Sequence, residues 1–291
     1  MTRLDKDTKI LVVGLGVIGG GYAAALTRAG YTVAALTKEK RDLDYAIAHG
    51  IVGRGAVGID EGLIGEAELI ISALYPTVFL DWIEKNQHLV RSGALITDVS
   101  GVKCEVVRRV EAMLRADLEF ISAHPMAGRE RSGVEFSDPD VFKGANYIVT
   151  PTEKNSPEAV AIASELGRIL GFGKISELSP ERHDGIIAYL SQLTHVIAVS
   201  LMLALPGEGM QEYTGDSFRD LTRIAKINDA MWAELFTLNR EALLTELDRF
   251  SSCLSDFREM LAEGDTDGMR EAMRLSTERR LAFDKPKGEK Q

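Results

Sequence analysis

Hydrophobic and polar positions divide this chain into two stretches of different rhythm. Up to about residue 150, short apolar runs rich in β-branched residues alternate with segments of helical period. The runs Ile10–Val13, Thr32–Leu36, Leu69–Ser72, Ala94–Asp98, Glu119–Ser122 and Tyr147–Thr150 read as strands. Tyr22–Ala29, Tyr75–Val90 and Lys103–Arg115, which lie between them, read as helices. Such alternation folds as a mainly parallel sheet with helices on both faces, because each parallel connection must cross over the sheet. The polar segment Thr152–Pro157 punctuates the chain, and after Pro180 the rhythm changes. From Glu181 to about Arg280 no strand pattern stands out. Ile186–Leu205 is apolar almost all round, the mark of a helix buried in a bundle or a dimer core. Met231–Leu261 and Thr266–Ala282 read as amphipathic helices, and the charged tail Asp284–Gln291 as frayed. The expected architecture is a doubly wound α/β domain at residues 1–152, its boundary lying between there and about 180. An all-helical domain at 153–291 follows.

The first predicted strand flows into Gly14-Leu15-Gly16-Val17-Ile18-Gly19 and then into an Ala-rich helix. In that strand–turn–helix setting the three glycines form a dinucleotide fingerprint of the Rossmann type. Gly14 permits the tight turn, Gly16 lets the backbone approach a pyrophosphate, and Gly19 lets helix and strand pack closely. The helix N-terminus then presents N–H groups and a positive dipole end to the phosphates. The strand Thr32–Leu36 ends at Thr37-Lys38-Glu39-Lys40-Arg41, where an NAD-specific domain carries an acidic residue for the ribose 2′-hydroxyl. Thr37 with Lys38 beside it suits a 2′-phosphate, so NADP is favoured slightly over NAD. Glu39 two residues later keeps NAD open.

Composition narrows the setting. The 291 residues are 45% hydrophobic and 27% charged, as in ordinary globular chains. No apolar run is expected to span a bilayer, and the polar N-terminus is unlike a signal peptide. A formal net charge of −10 argues against nucleic acid and anionic membranes as partners. Any anionic ligand must therefore be held by local cations. Cys104 and Cys253 have no metal-like neighbours, so no metal site is expected, and the thiols suit a reducing, cytoplasmic compartment.

Two of the five histidines fall where chemistry would need them. His124 opens His124-Pro-Met-Ala-Gly128 after a predicted strand, so it faces the crevice where cofactor and substrate meet. An imidazole there can accept the proton of a substrate hydroxyl as hydride leaves carbon. His195 lies in the apolar helix and on its own reads more readily as a hydrogen-bonded core residue. In Phe218-Arg219-Asp220-Leu-Thr-Arg223-Ile-Ala225, Arg219 and Arg223 share one helical face, with Asp220 three residues before Arg223. The guanidinium groups suit bidentate binding of carboxylates, or equally a surface ion-pair cluster.

Taken with Asp98-Val-Ser100-Gly-Val-Lys103, Ser191-Gln-Leu-Thr-His195 and Met231-Trp232, these motifs cover nearly the whole chain in order. The set resembles the prephenate/arogenate dehydrogenase family of tyrosine biosynthesis. The resemblance implies a homodimer built through the helical domain and oxidative decarboxylation of prephenate to 4-hydroxyphenylpyruvate, or of arogenate to tyrosine. It implies that His124 hydrogen-bonds the ring hydroxyl, Arg223 binds a substrate carboxylate, and His195 positions the substrate. Asp220, Glu130 and Trp232 fall at family positions around the pocket. The family pattern Gly-Ser-Val-Lys is here Ser100-Gly101-Val102-Lys103, with Ser and Gly exchanged, and Ser100 is expected to reach the site from the neighbouring position. An accessory histidine of the family is replaced by Gln192. The length leaves no room for the mutase or regulatory domains fused to some relatives, so tyrosine inhibition, where present, is expected at the active site. Arg129 and Arg131 in the loop after His124 favour prephenate, a dianion without an ammonium, although Glu130 is of the opposite sign. The rivals are another reductase with a Rossmann and a helical domain, which would use a catalytic lysine or aspartate, and a dinucleotide-sensing regulator without chemistry.

Overall fold

The computed structural model describes residues 3–128, 131 and 133–284. The chain divides into two compact units, one reaching to Ala242 and one beginning at Leu243. The first unit is built on eight strands: β1 (Ile10–Val13), β2 (Val33–Thr37), β3 (Arg54–Val57), β4 (Leu69–Ser72), β5 (Leu95–Asp98), β6 (Glu119–Met126), β7 (Asn146–Thr150) and β8 (Lys174–Glu177). They lie in the order β3-β2-β1-β4-β5-β6-β7-β8, and every neighbouring pair is parallel except β6 and β7. The order reverses between β1 and β4, which opens a crevice at the carboxyl ends of those strands.

The strands are apolar on both faces because helices cover both. Ile10 and Val12 pack on one side with Tyr22 and Leu26 of α1 (Val17–Arg28). Leu11 and Val13 point to the other side, where Phe79 and Ile83 lie. Each such side chain, fully withdrawn from water, contributes about 1.5–3 kcal/mol. With α1 on the first face lie α2 (Lys40–Ala48) and α6 (Pro157–Leu170), and on the other lie α3 (Glu61–Glu66), α4 (Pro76–Asn86) and α5 (Cys104–Met113).

The sheet extends beyond Thr152, taking in α6 and β8 as far as Glu177. Neither β3 nor β8 was legible as a strand. They are the two edges of the sheet, their sequences Arg-Gly-Ala-Val and Lys-Ile-Ser-Glu carry no apolar run, and no residue of either is buried.

Helices then dominate, with α7 (Pro180–Ile187), α8 (Thr194–Leu203), α9 (Asp216–Thr222), α10 (Asp229–Leu238) and α11 (Arg240–Glu263) in sequence. A π-helical segment, Ala188–Leu193, joins α7 to α8. The expected single helix over 231–261 is two helices broken at Asn239. That residue is buried, and its amide donates to the Asp184 carbonyl and to Gln192 Oε1, which fixes a non-helical turn.

One further expectation is corrected in the Pro180–Leu203 stretch. By length and composition these 24 residues are long and apolar enough to cross a bilayer, with mean hydropathy of 1.8 in an 18-residue window. The charges of its first turn, Glu181 to Asp184, are followed by an uncharged run in which His195 is the only titratable group besides Tyr189. The expected burial is also incomplete within one chain. Leu201, Met202 and Leu203 are exposed, while Ala198 is buried.

The second unit consists of the rest of α11 and α12 (Thr266–Leu281). Its helices carry exposed apolar side chains: Leu254, Phe257 and Leu261 on α11, and Met273, Leu275 and Leu281 on α12.

Candidate active site

The glycine turn lies at the switch point of the sheet. Gly14 has φ +101°, and a Cβ there would sit 2.9 Å from the Ala73 carbonyl oxygen, so only glycine fits. A Cβ on Gly19 would collide with the Gly14 carbonyl, which explains the tight meeting of helix and turn. Gly16 has open space where its Cβ would be, and as N-cap of α1 it makes no side-chain cap. A helix N-terminus beside a bare backbone fits the pyrophosphate of a dinucleotide. Among the flanking residues, Ile18 lines the large cavity described below. Thr37 ends β2 and is buried, its Oγ1 accepting from the Glu39 N–H. Lys38 is exposed and has no carboxylate at ion-pair distance among the described residues. Its neighbours Lys40 and Arg41 are paired with Asp44 and Glu135.

A cavity of about 850 Å³ opens beside this turn, and His124, Gly101, His195, Arg223, Trp232 and Arg131 are among its lining residues. His124 lies near the end of β6, where that strand pairs with β7. A buried clamp holds this part of the sheet. The Lys103 ammonium donates to both Asp98 oxygens at 3.0–3.1 Å and to the Ala123 carbonyl at 2.7 Å. Asp98 also accepts from Ser122 Oγ, the Ala123 N–H and the Ser100 N–H. Burial lowers the Lys103 ammonium from the usual lysine range, and the Asp98 carboxylate works against that.

Behind His124 stands a second histidine that sequence reading passed over. His124 Nδ1 lies 2.8 Å from His183 Nε2, and His183 Nδ1 lies 2.7 Å from Asp184 Oδ1. Asp184 accepts as well from the backbone N–H groups of Lys103 and Cys104, both at 2.8 Å, and so caps α5. His183 and Asp184 are buried. Burial works to raise the Asp184 carboxyl, but hydrogen bonds from His183 and the Cys104 N–H outweigh it and leave it below the usual range. Burial lowers the His183 imidazole, with Asp184 opposing. Burial, then the nearby His183 and Lys103, hold His124 well below the ordinary histidine range, so it is neutral at pH 7. In the sequence His183-Asp184 reads as the charged first turn of a helix, after the Ser179 cap and Pro180. Nothing local distinguishes it from a solvated turn.

The helical wall of the cavity is built differently. Across the π-helical segment, Ser191 and Gln192 line the cavity, and His195 follows one turn on. His195 Nδ1 contacts the Ser191 carbonyl at 2.8 Å, and its ring stacks on Trp232 at 3.7 Å between centroids. Gln192 is buried and bonds the Leu235 carbonyl and Asn239, so the residue at the accessory-histidine position locks α8 to α10. Helix α10 is tied to the sheet layer by Glu234, which accepts from the Thr77 N–H, and by Asn228, which donates to Tyr75.

Several expected site residues are not brought together. Arg219 is exposed and bonds Asp216 and Thr214, and neither it nor Asp220 lines the cavity. Arg223 lines it, on the 3₁₀ turn Arg223–Ala225 that follows the end of α9 at Thr222. Among the described residues Ser100 Oγ is buried with no partner, and Gly101 rather than Ser100 lines the cavity. The exchange of Ser and Gly therefore leaves the wall position without a hydroxyl. A Cβ on Gly101 would lie 3.8 Å from His124 Nε2, in ordinary contact. Glu130 and Arg129 lie outside the described residues. Among the described residues no cluster of His, Cys, Asp and Glu could hold a metal ion.

Comparison with known proteins bears on the fold and the family. Residues 22–171 match the family described as prephenate dehydrogenase, nucleotide-binding domain, and residues 179–275 match prephenate dehydrogenase, dimerization domain. A prephenate dehydrogenase of Bacillus subtilis (strain 168) is 29% identical over 272 residues, 91% of this chain and 72% of that protein. The structure of prephenate dehydrogenase from A. aeolicus, in complex with hydroxyphenyl propionate and NAD+, superposes with a TM-score of 0.89 at 26% identity. It covers 97% of this chain and 99% of that one. Synechocystis arogenate dehydrogenase superposes with a TM-score of 0.83 at 26% identity, covering 95% and 100%. With both its nucleotide-binding and its helical parts matched, this chain belongs to the prephenate dehydrogenase family of oxidoreductases.

Proposed function

We propose that this chain oxidises and decarboxylates prephenate to 4-hydroxyphenylpyruvate with a nicotinamide dinucleotide as hydride acceptor. The observation that carries this reading is the make-up of the cavity. A neutral imidazole stands on one wall, Arg223, His195 and Arg131 are on the lining, and among the described residues no carboxylate lines it. Prephenate is a dianion with one ring hydroxyl and two carboxylates, and these groups match it in sign and number.

The hydroxyl donates to His124 Nε2, which takes its proton as hydride leaves the carbon. When bound, the nicotinamide supplies the acceptor for that hydride. Loss of hydride and carbon dioxide from the dianion yields a monoanionic phenol, so no proton is released overall. The proton held on His124 returns to the ring oxygen as the ring becomes aromatic. Arg223 binds a carboxylate and orients the ring, and His195, stacked on Trp232, fixes the side chain. Trp232 and Leu235 exclude water from this wall.

A glycine turn with open space at Gly16 supports dinucleotide binding. Thr37 in place of an acidic residue and the exposed Lys38 beside it support NADP over NAD. The exposed apolar side chains Leu201, Met202 and Leu203 of α8 support a homodimer formed through the helical part. Both cysteines are free, in keeping with a cytoplasmic enzyme.

The likeness to an arogenate dehydrogenase favours arogenate as the second reading. An arogenate-selective site needs an acceptor for the substrate ammonium. The deciding measurement is kcat/KM for both substrates with NAD+ and with NADP+ on one sample. Prephenate with NADP+ is expected to be best. A tenfold or greater advantage for arogenate, about 1.4 kcal/mol of discrimination, would overturn the substrate assignment.

A further inference from the structure

His183 and Asp184 have no contact with the cavity, yet they determine which nitrogen of His124 can act. Asp184 accepts two backbone N–H bonds and so is the ionised acceptor in its contact with His183 Nδ1, which must carry the proton. A neutral imidazole has one N–H, so His183 Nε2 is bare. At 2.8 Å it can only accept, and His124 must donate from Nδ1. Neutral His124 is then bare at Nε2, the nitrogen nearest Gly101 on the cavity wall.

We propose that His183 and Asp184 are positioning residues that lock His124 in the Nδ1–H tautomer, with the Nε2 lone pair aimed at the substrate hydroxyl. The same chain stabilises the imidazolium that forms while the proton is held, because its Nδ1–H already points at an acceptor backed by a carboxylate. Burial keeps both imidazoles neutral before reaction, which the lock requires. The charged and titratable groups around His124 come from several elements. They are Asp98 and Lys103 at the β5–α5 junction, His183 and Asp184 on α7, His195 on α8, and Arg131 and Arg223 on the cavity lining. Among the described residues, only His183 bonds the His124 ring. The catalytic part of this inference rests on the dehydrogenase reading above, whereas the tautomer does not.

The test uses the full chain labelled with ¹⁵N-histidine, the His124 signals being assigned by their loss in His124→Asn. Above its pKa, wild-type His124 is expected to be protonated at Nδ1 and bare at Nε2. In His183→Leu, which keeps the site apolar and leaves Asp184 its two backbone donors, the proton should move to Nε2. With it kcat should fall roughly 100-fold or more, as for loss of a general base, while KM stays within about threefold. His183→Gln restores an acceptor near the Nε2 position and should return kcat to within about tenfold of wild type. Unchanged melting of both variants separates this from a folding defect. A proton on Nε2 in the wild type overturns the proposal whatever the activity. So does a His183→Leu enzyme of unchanged kcat. A wild-type protein inactive on both prephenate and arogenate would instead sink the dehydrogenase reading, and the tautomer would still be decided by the spectra.

Discussion

The two walls of the cavity solve different problems with different kinds of structure. On the sheet side, His124, His183, Asp184, Lys103 and Asp98 form a buried network in which each member is hydrogen-bonded. On the helical side, Arg223 sits on a 3₁₀ turn and His195 near the start of α8. Moving a proton over a fraction of an ångström needs one fixed tautomer and one fixed ring orientation, which a saturated buried network enforces. Holding a carboxylate needs only a fork of charge that can follow the ligand. The sheet wall is therefore sensitive to any lost partner, and the helical wall to lost charge.

Four variants probe that division. The largest expected effect is at His124. His124→Asn keeps a donor toward His183 but has no basic nitrogen, and should lower kcat by about two to four orders of magnitude with KM little changed. Wild-type kcat/KM should also show an acid limb below the ordinary histidine range. The folded pKa is lowered, so neutral His124 persists as pH falls, and activity is lost only once pH drops through that depressed value. A steady-state pH profile with its limb above about 6.5 would show that another group controls the reaction.

Lys103→Met comes next and reads stability. It leaves Asp98 buried without its cation and should cost about 3–5 kcal/mol in denaturant unfolding. A loss under about 1 kcal/mol would mean that the clamp is not needed to hold the sheet wall.

Arg223→Ala, on the helical wall, should cost about 2–4 kcal/mol of kcat/KM, mostly through KM, with little change in melting. Arg219→Ala is its control, since Arg219 bonds only Asp216 and Thr214. A KM effect larger at Arg219 than at Arg223 would reverse the assignment of the carboxylate-binding arginine.

Smallest is Lys38→Ala, at the rim of the cofactor turn. One exposed ion pair with a 2′-phosphate is worth up to about 1 kcal/mol, so KM for NADP+ should rise roughly fivefold while KM for NAD+ stays put. Equal changes for both cofactors would remove the argument for NADP.

The sequence by itself determined the parallel core strands, the glycine turn and the candidacy of His124, His195, Arg223 and Trp232. These depend on local period or on motifs a few residues long, and the physics that fixes them is equally local. The edge strands β3 and β8 were not legible, because they are half-exposed and owe their conformation to pairing with a neighbour. The exchange of Ser100 and Gly101 was visible as letters, but which of the two lines the cavity depends on how the chain bends after β5. Likewise, Arg219 and Arg223 share a helical face in the sequence, and only the tightening of the last turn separates them. His183 and Asp184 were decided by the tertiary structure alone. They meet His124 and the start of α5 across 59 and 81 residues of chain. A contact at that separation leaves no periodic trace, because folding brings the partners together through elements whose own patterns concern the core.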